Sequence, residues 1–149
     1  MPAGKYNHHP ELRPIHEPIR LVIDTEPLPK LRARTVFKNG KVRSYTPDKT
    51  KDYEDYLKTI FTQYKGKMFE PHIPLKLTVV FWRTRNKWCL KRECMPVRRP
   101  DTDNLIKSVL DSMNGILVPD DAAICTIVAS KRWSENGHGS IELLLEEDR

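Results

Sequence analysis

Leu75-Lys76-Leu77-Thr78-Val79-Val80-Phe81-Trp82 begins in apolar–polar alternation and closes as an unbroken apolar run after Pro74. Such a segment reads as a strand buried on at least one face. It leads directly into Arg83–Arg99, which holds Arg83, Arg85, Lys87, Lys91, Arg92, Arg98 and Arg99 against the single acid Glu93. Downstream, Arg98-Arg99-Pro100-Asp101-Thr102-Asp103 precedes a helix that runs to Asn114, with Gly115 where a left-handed cap is favoured. Ile124 to Ser130 and Ile141 to Leu145 read as further strands. The Asn136-Gly137-His138-Gly139 turn between them predicts that these two pair as an antiparallel hairpin.

Upstream, Ile19 to Ile23 is strand-like and stops at Pro27 and Pro29. Lys38-Asn39-Gly40-Lys41 separates Thr35–Phe37 from Val42–Tyr45, and Asn-Gly supplies the positive φ angles of a tight hairpin. Thr46 or Asp48 can cap a helix to about Tyr64, whose Tyr53, Tyr56, Leu57, Ile60, Phe61 and Tyr64 recur at helical spacing. Four or more strands with two main helices predict a single α+β domain built on a mixed β-sheet. Residues 1–17, rich in Pro and His and without periodicity, read as a flexible arm, and 18–149 as the domain.

Composition agrees. The 149 residues are 38% apolar and 31% charged, a length and balance that fit one compact domain. No apolar run approaches the roughly 20 residues needed to cross a bilayer. The first 17 residues show no apolar stretch behind a basic start, so a secretory signal is not expected and an intracellular chain is. Cys89, Cys94 and Cys125 are odd in number and lack C-x-x-C spacing, which predicts reduced thiols.

The net charge of +6 is unevenly placed. Lys30–Arg43 carries six basic residues and no acid, and Arg83–Arg99 is also +6, so the remainder sums to −6. Two basic patches of this density suit the phosphates of nucleic acid, although solvated loops would read the same way. Trp88, among Arg85, Lys87, Lys91 and Arg92, can stack on an unpaired base or anchor its own loop. Lys131 and Arg132 end a strand and face the same alternatives.

The acidic residues concentrate around the second helix. Asp103, Lys107, Asp111 and Asn114 share an arc of about 80° on it, while Ile106, Val109, Leu110 and Met113 fall on another side. Helix capping by Asp101 and i,i+4 pairing among Asp103, Lys107 and Asp111 would account for them individually. The crowding of Asp101, Asp103, Asp120 and Asp121 equally suits Mg2+ or Mn2+, which take oxygen ligands and keep waters for substrate phosphates. Such a site serves phosphodiester hydrolysis, with Lys107 offsetting charge or stabilising the phosphate.

Pro100-Asp101-x-Asp103-Asn104-Leu105-x-Lys107-x-x-x-Asp111-x-x-Asn114-Gly115, followed by Asp120-Asp121 and a strand ending at Lys131, resembles the signature of the RusA family of Holliday-junction resolvases of bacteria and their phages. The resemblance runs from about Ile19 to the C-terminus and includes Pro27-Leu28-Pro29-Lys30 and Tyr45-Thr46-Pro47. It implies a homodimeric, Mg2+-dependent endodeoxyribonuclease, with Mn2+ as substitute, that resolves four-way DNA junctions by paired cuts in recombination and repair. It implies Asp101, Asp103 and Asp121 as metal ligands, Asp120 as a weaker candidate, and Lys107 as catalytic. Asp111 is expected to be structural or to support a metal ligand from behind, and Ala123 stands where the family often has Gln. Lys30, Arg32, Arg34, Arg83, Arg85, Lys87, Lys91, Arg92, Arg98, Arg99 and Lys131 are then the expected DNA contacts, and a bacterial or phage-encoded cytoplasmic protein is expected. The alternative is a non-catalytic basic DNA-binding module whose carboxylates are structural.

Overall fold

The computed structural model describes residues 14–31, 34–45, 48–87 and 92–149, and the side chains of Arg34 and Tyr45 are outside that description. The expectations for Arg32, Thr46, Trp88, Cys89, Lys91 and the first 13 residues of the arm therefore lie outside the described residues.

Strand β1 (Ile19–Ile23) is followed by a ribbon of β2 (Arg34–Lys38) and β3 (Lys41–Tyr45), helix α1 (Asp48–Thr62) and strand β4 (Leu75–Arg83). Helix α2 (Thr102–Met113), a short 3-10 turn at Asp121–Ala123, β5 (Ile124–Trp133) and β6 (Ser140–Glu147) complete the chain. The main sheet has the order β1-β6-β4-β5, and β2 and β3 form a separate two-stranded sheet. The domain is α+β, with two main helices and a mixed four-stranded sheet.

The expected hairpin between the last two strands does not form. β4 lies between them, pairing parallel with β5 and antiparallel with β6. β4 explains this. Leu75, Leu77, Val79 and Phe81 are all essentially inaccessible, and a strand so apolar is best buried by a neighbour on each edge. The connection from β5 to β6 then has to cross two strand spacings, about 10 Å, which six residues span easily.

The core lies on one face of the sheet, where α1 contributes Tyr53, Leu57 and Phe61 and α2 contributes Leu105, Val109 and Met113. Tyr56 of the expected α1 stripe is left exposed. On α2 the buried stripe is rotated from the expected one. Ser108 and Ser112 are fully buried while Ile106 and Leu110 are partly so, because small side chains let the helix pack closely. Their hydroxyls are satisfied inside the helix, Ser112 Oγ donating to the Ser108 carbonyl at 2.6 Å and Ser108 Oγ to that of Asn104 at 3.4 Å.

β4, α2 and β5 form a crossover between parallel strands, so α2 runs antiparallel to both. Its N-terminus sits at the carboxyl ends of β4 and β5, the edge at which open sheets of this kind bind ligands. Its C-terminus lies beside the start of β5.

Candidate active site

Asp101 occupies the N-cap position of α2 with extended backbone (φ −71°, ψ 144°), yet its side chain makes no capping hydrogen bond. It is exposed, as is Asp103 in the first turn. Neither carboxylate is engaged by the helix end it flanks, so both are free to meet a ligand. Lys107, one turn on, is exposed and forms no ion pair with Asp103 or Asp111. The expected i,i+4 pairs are absent among the described residues, and Asp111 turns instead to Lys30.

That contact belongs to a small ionic network. Lys30 Nζ lies 2.5 Å from Glu54 Oε1 on α1 and 3.3 Å from Asp111 Oδ2 on α2. Burial opposes the charged ammonium, but the two carboxylates outweigh it and hold its pKa above the ordinary value. The Lys30 backbone N–H also donates to the Asn104 carbonyl at 3.0 Å. The residue expected to meet DNA thus pins the segment before the ribbon onto both helices.

At the carboxyl edge of the sheet, Lys131 Nζ donates to the carbonyls of Arg98 (2.6 Å) and Pro100 (2.8 Å). Burial and then the nearby Arg83 charge lower its pKa, against the attraction of Asp101. Arg83 is likewise engaged, donating to the Pro27 carbonyl at 2.8 Å beside Glu26. Arg85 lies over the Trp133 ring, 4.8 Å from its centroid, and donates to the Glu93 carbonyl. Arg98 pairs with Glu93 at 3.0 Å. Lys87, Arg92 and Arg99 are exposed on the same side chain-rich loop.

Asp120 and Asp121 are at the other end of α2. The Asp121 backbone N–H donates to Asn114 Oδ1 at 3.1 Å, and the Asp120 carboxylate accepts from the Ala122 N–H at 3.0 Å. Burial first, and then Asp120 and Asp111, raise the pKa of Asp121. The 11 helical steps from Asp103 to Asn114 amount to about 16 Å. The structure therefore brings Asp101 and Asp103 together, and separately Asp111, Asp120 and Asp121, without joining the two groups in one chain. Among the described residues no three carboxylate, imidazole or thiol groups converge to hold one ion. The donor chemistry still fits a hard divalent cation, which commonly uses one or two carboxylates and completes its shell with water and substrate phosphate.

Sequence reasoning missed the holding roles of Lys30 and Lys131 and the Asn114–Asp121 bond. The basic stretches signalled charge, but the partners are set by tertiary packing, of α1 against α2 for Lys30 and of β5 against the loop before α2 for Lys131. Among the described residues, no helix is long and apolar enough to cross a membrane.

An exposed acidic pair thus stands at the carboxyl edge of the mixed sheet, directly after the loop that carries Arg92, Arg98 and Arg99. Residues 24–144 match the family of endodeoxyribonuclease RusA, and the chain belongs to that family of endonucleases. A crossover junction endodeoxyribonuclease rusA from Lactococcus phage r1t is 32% identical over 109 residues, covering 70% of this chain and 79% of the relative. The uncharacterized protein YqaN of Bacillus subtilis (strain 168) is 25% identical over 138 residues, covering 87% and 96%.

Proposed function

We propose that this endonuclease resolves four-way DNA junctions as a homodimer, using Mg2+, in recombination and repair. The observation that carries this reading is the pair Asp101 and Asp103, exposed, with Asp101 making no capping bond, directly after the basic loop at the carboxyl edge of the sheet. Asp101 and Asp103 would hold the cation from one protomer, and the Asp121 end of α2 from a second copy would complete its ligands. The separation of the two acidic groups along α2 supports that division. Two such sites related by a two-fold axis suit paired, symmetric cuts across a junction that is itself two-fold.

A bound divalent cation supplies Lewis-acid activation of the attacking water and of the scissile phosphate. Lys107, one turn from Asp103 and without an ion partner among the described residues, would stabilise charge on the phosphate. Lys131 fixes the loop carrying Asp101 through the Arg98 and Pro100 carbonyls. Lys87, Arg92, Arg98 and Arg99 offer exposed charge to the DNA backbone and offset the repulsion of the acidic centre. Acting on DNA, the enzyme works in the cytoplasm of a bacterial or phage-infected cell.

A synthetic mobile four-way junction, incubated with and without Mg2+ beside linear duplex and single strands, tests the reading. Metal-dependent cutting confined to the junction is expected, and Asp101→Asn, Asp103→Asn and Asp121→Asn should abolish it while retaining binding. Salt-sensitive binding without metal-dependent cutting would make the protein a DNA-binding module instead.

A further inference from the structure

The β2–β3 ribbon stands apart from the main sheet, and residues 35–44 are all exposed. Its turn is set by Asn39 (φ 52°) and Gly40 (φ 72°), the left-handed pair of a tight hairpin. Register places Val36 opposite Arg43 and Lys38 opposite Lys41 on one face, and Phe37 opposite Val42 on the other. The first face is cationic. The second carries the apolar pair, Phe37 74% and Val42 68% exposed, beside Thr35 and Ser44.

An uncovered two-stranded ribbon is marginal in water by itself, so a Phe–Val pair presented at its tip calls for a partner. The sequence from Pro27 to Pro47 contains no acidic residue, so pairing with the ribbon of a second copy would bring like charges together. A polyanion with exposed aromatic faces satisfies both sides at once. Two strands about 4.8 Å apart fit a DNA groove, and five residues per strand give a reach of about 16 Å. Lys30, a few residues before the ribbon, is held on both helices, its N–H bonding the Asn104 carbonyl next to Asp103 and its ammonium meeting Asp111 on α2 and Glu54 on α1.

We propose that the ribbon is a wedge for the DNA branch point, its Lys38, Lys41 and Arg43 face following the phosphates while Phe37 stacks on a base unpaired at the crossover. This rests on the junction-cleaving function proposed above. Stacking on an aromatic side chain tolerates any base, so the wedge recognises the open branch rather than a sequence.

The test uses the full chain and a four-way junction carrying 2-aminopurine at the crossover, read in EDTA so that the DNA stays intact. Wild type should raise the fluorescence severalfold, and Phe37→Ala should lose most of that rise. Phe37→Ala should also bind the junction about fivefold or more weakly while binding linear duplex within about twofold of wild type. Phe37→Trp should restore both readouts. Lys38→Gln/Lys41→Gln should weaken both DNAs and reduce the salt slope by about two. An unchanged 2-aminopurine signal in Phe37→Ala, with junction cutting intact in Mg2+, overturns the wedge alone. Failure of wild type to bind or cut the junction overturns the wedge and the junction-cleaving function together. Conversion of a dimer to a monomer by Phe37→Ala in sedimentation would make the ribbon a protein contact and also overturn the proposal.

Discussion

Lys131 reaches from β5 to the carbonyl oxygen of Pro100 at 2.8 Å, immediately before Asp101, and holds that of Arg98 at 2.6 Å. Through these two carbonyls Lys131 holds the loop that carries Asp101, a contact the sequence expectation of a phosphate-binding lysine at the strand end does not include. Lys131→Met should cost about 2 kcal/mol of stability, the scale of hydrogen bonds to a charged group. It should lower kcat about tenfold or more with little change in junction affinity, because small displacements of reacting groups are that costly. Urea denaturation and single-turnover cleavage measure the two effects. A reduced salt slope of binding with unchanged kcat would return Lys131 to the phosphate-contacting set.

Asp121, proposed above as a metal ligand, is held at some expense of stability. Burial, Asp120 and Asp111 all disfavour its ionised form, so its folded pKa lies above the ordinary 3.8. A carboxyl with a raised folded pKa favours folding when protonated and loses that contribution as pH rises through the folded value. Asp121→Asn removes the repulsion at neutral pH and should raise the melting temperature by about 1–2 °C in the absence of metal. The gain should develop as pH rises from 3.8 through the raised value and stay constant above it. Melting curves across pH 3 to 8 check this, and the same substitution should abolish cleavage.

Lys30 makes the opposite case. Although burial lowers its pKa, Glu54 and Asp111 together raise it above 10.5. Its stabilising contribution is therefore complete below pH 10.5 and is lost as pH climbs through the raised folded value. Lys30→Met should destabilise by about 1–3 kcal/mol, because it leaves the largely buried Glu54 carboxylate without its cation. Adding Glu54→Leu should recover much of the loss in a double-mutant cycle. Chemical denaturation measures both.

Local signals in the sequence located every strand and both helices. Asn39-Gly40 set the ribbon because its two positive φ angles demand those residue types. Pro100 to Gly115 located α2 and its polar face because periodicity and termination are local properties. Strand pairing was not local. The Asn136-Gly137 turn favours a hairpin, but β4, whose core-facing residues Leu75, Leu77, Val79 and Phe81 are all buried, pairs with both β5 and β6 and separates them. The site was legible as a set of residue types and illegible as geometry for the same reason. Only the tertiary fold reveals that the segment after α2 leaves Asp121 at the Asn114 end instead of returning it to Asp101, and that Lys30 and Lys131 face carboxylates and carbonyls of their own chain.

The central claim is that each cutting centre takes Asp101 and Asp103 from one protomer and Asp121 from the other. Co-expressing Asp103→Asn and Asp121→Asn chains with different tags and purifying the mixed dimer tests it directly, because both homodimers are inactive. The mixed dimer has one intact centre if ligands cross between protomers, so it should nick one strand of the junction in Mg2+. If each centre is built within a single chain, both are damaged in the mixed dimer, and a preparation that binds the junction without nicking it would contradict the account.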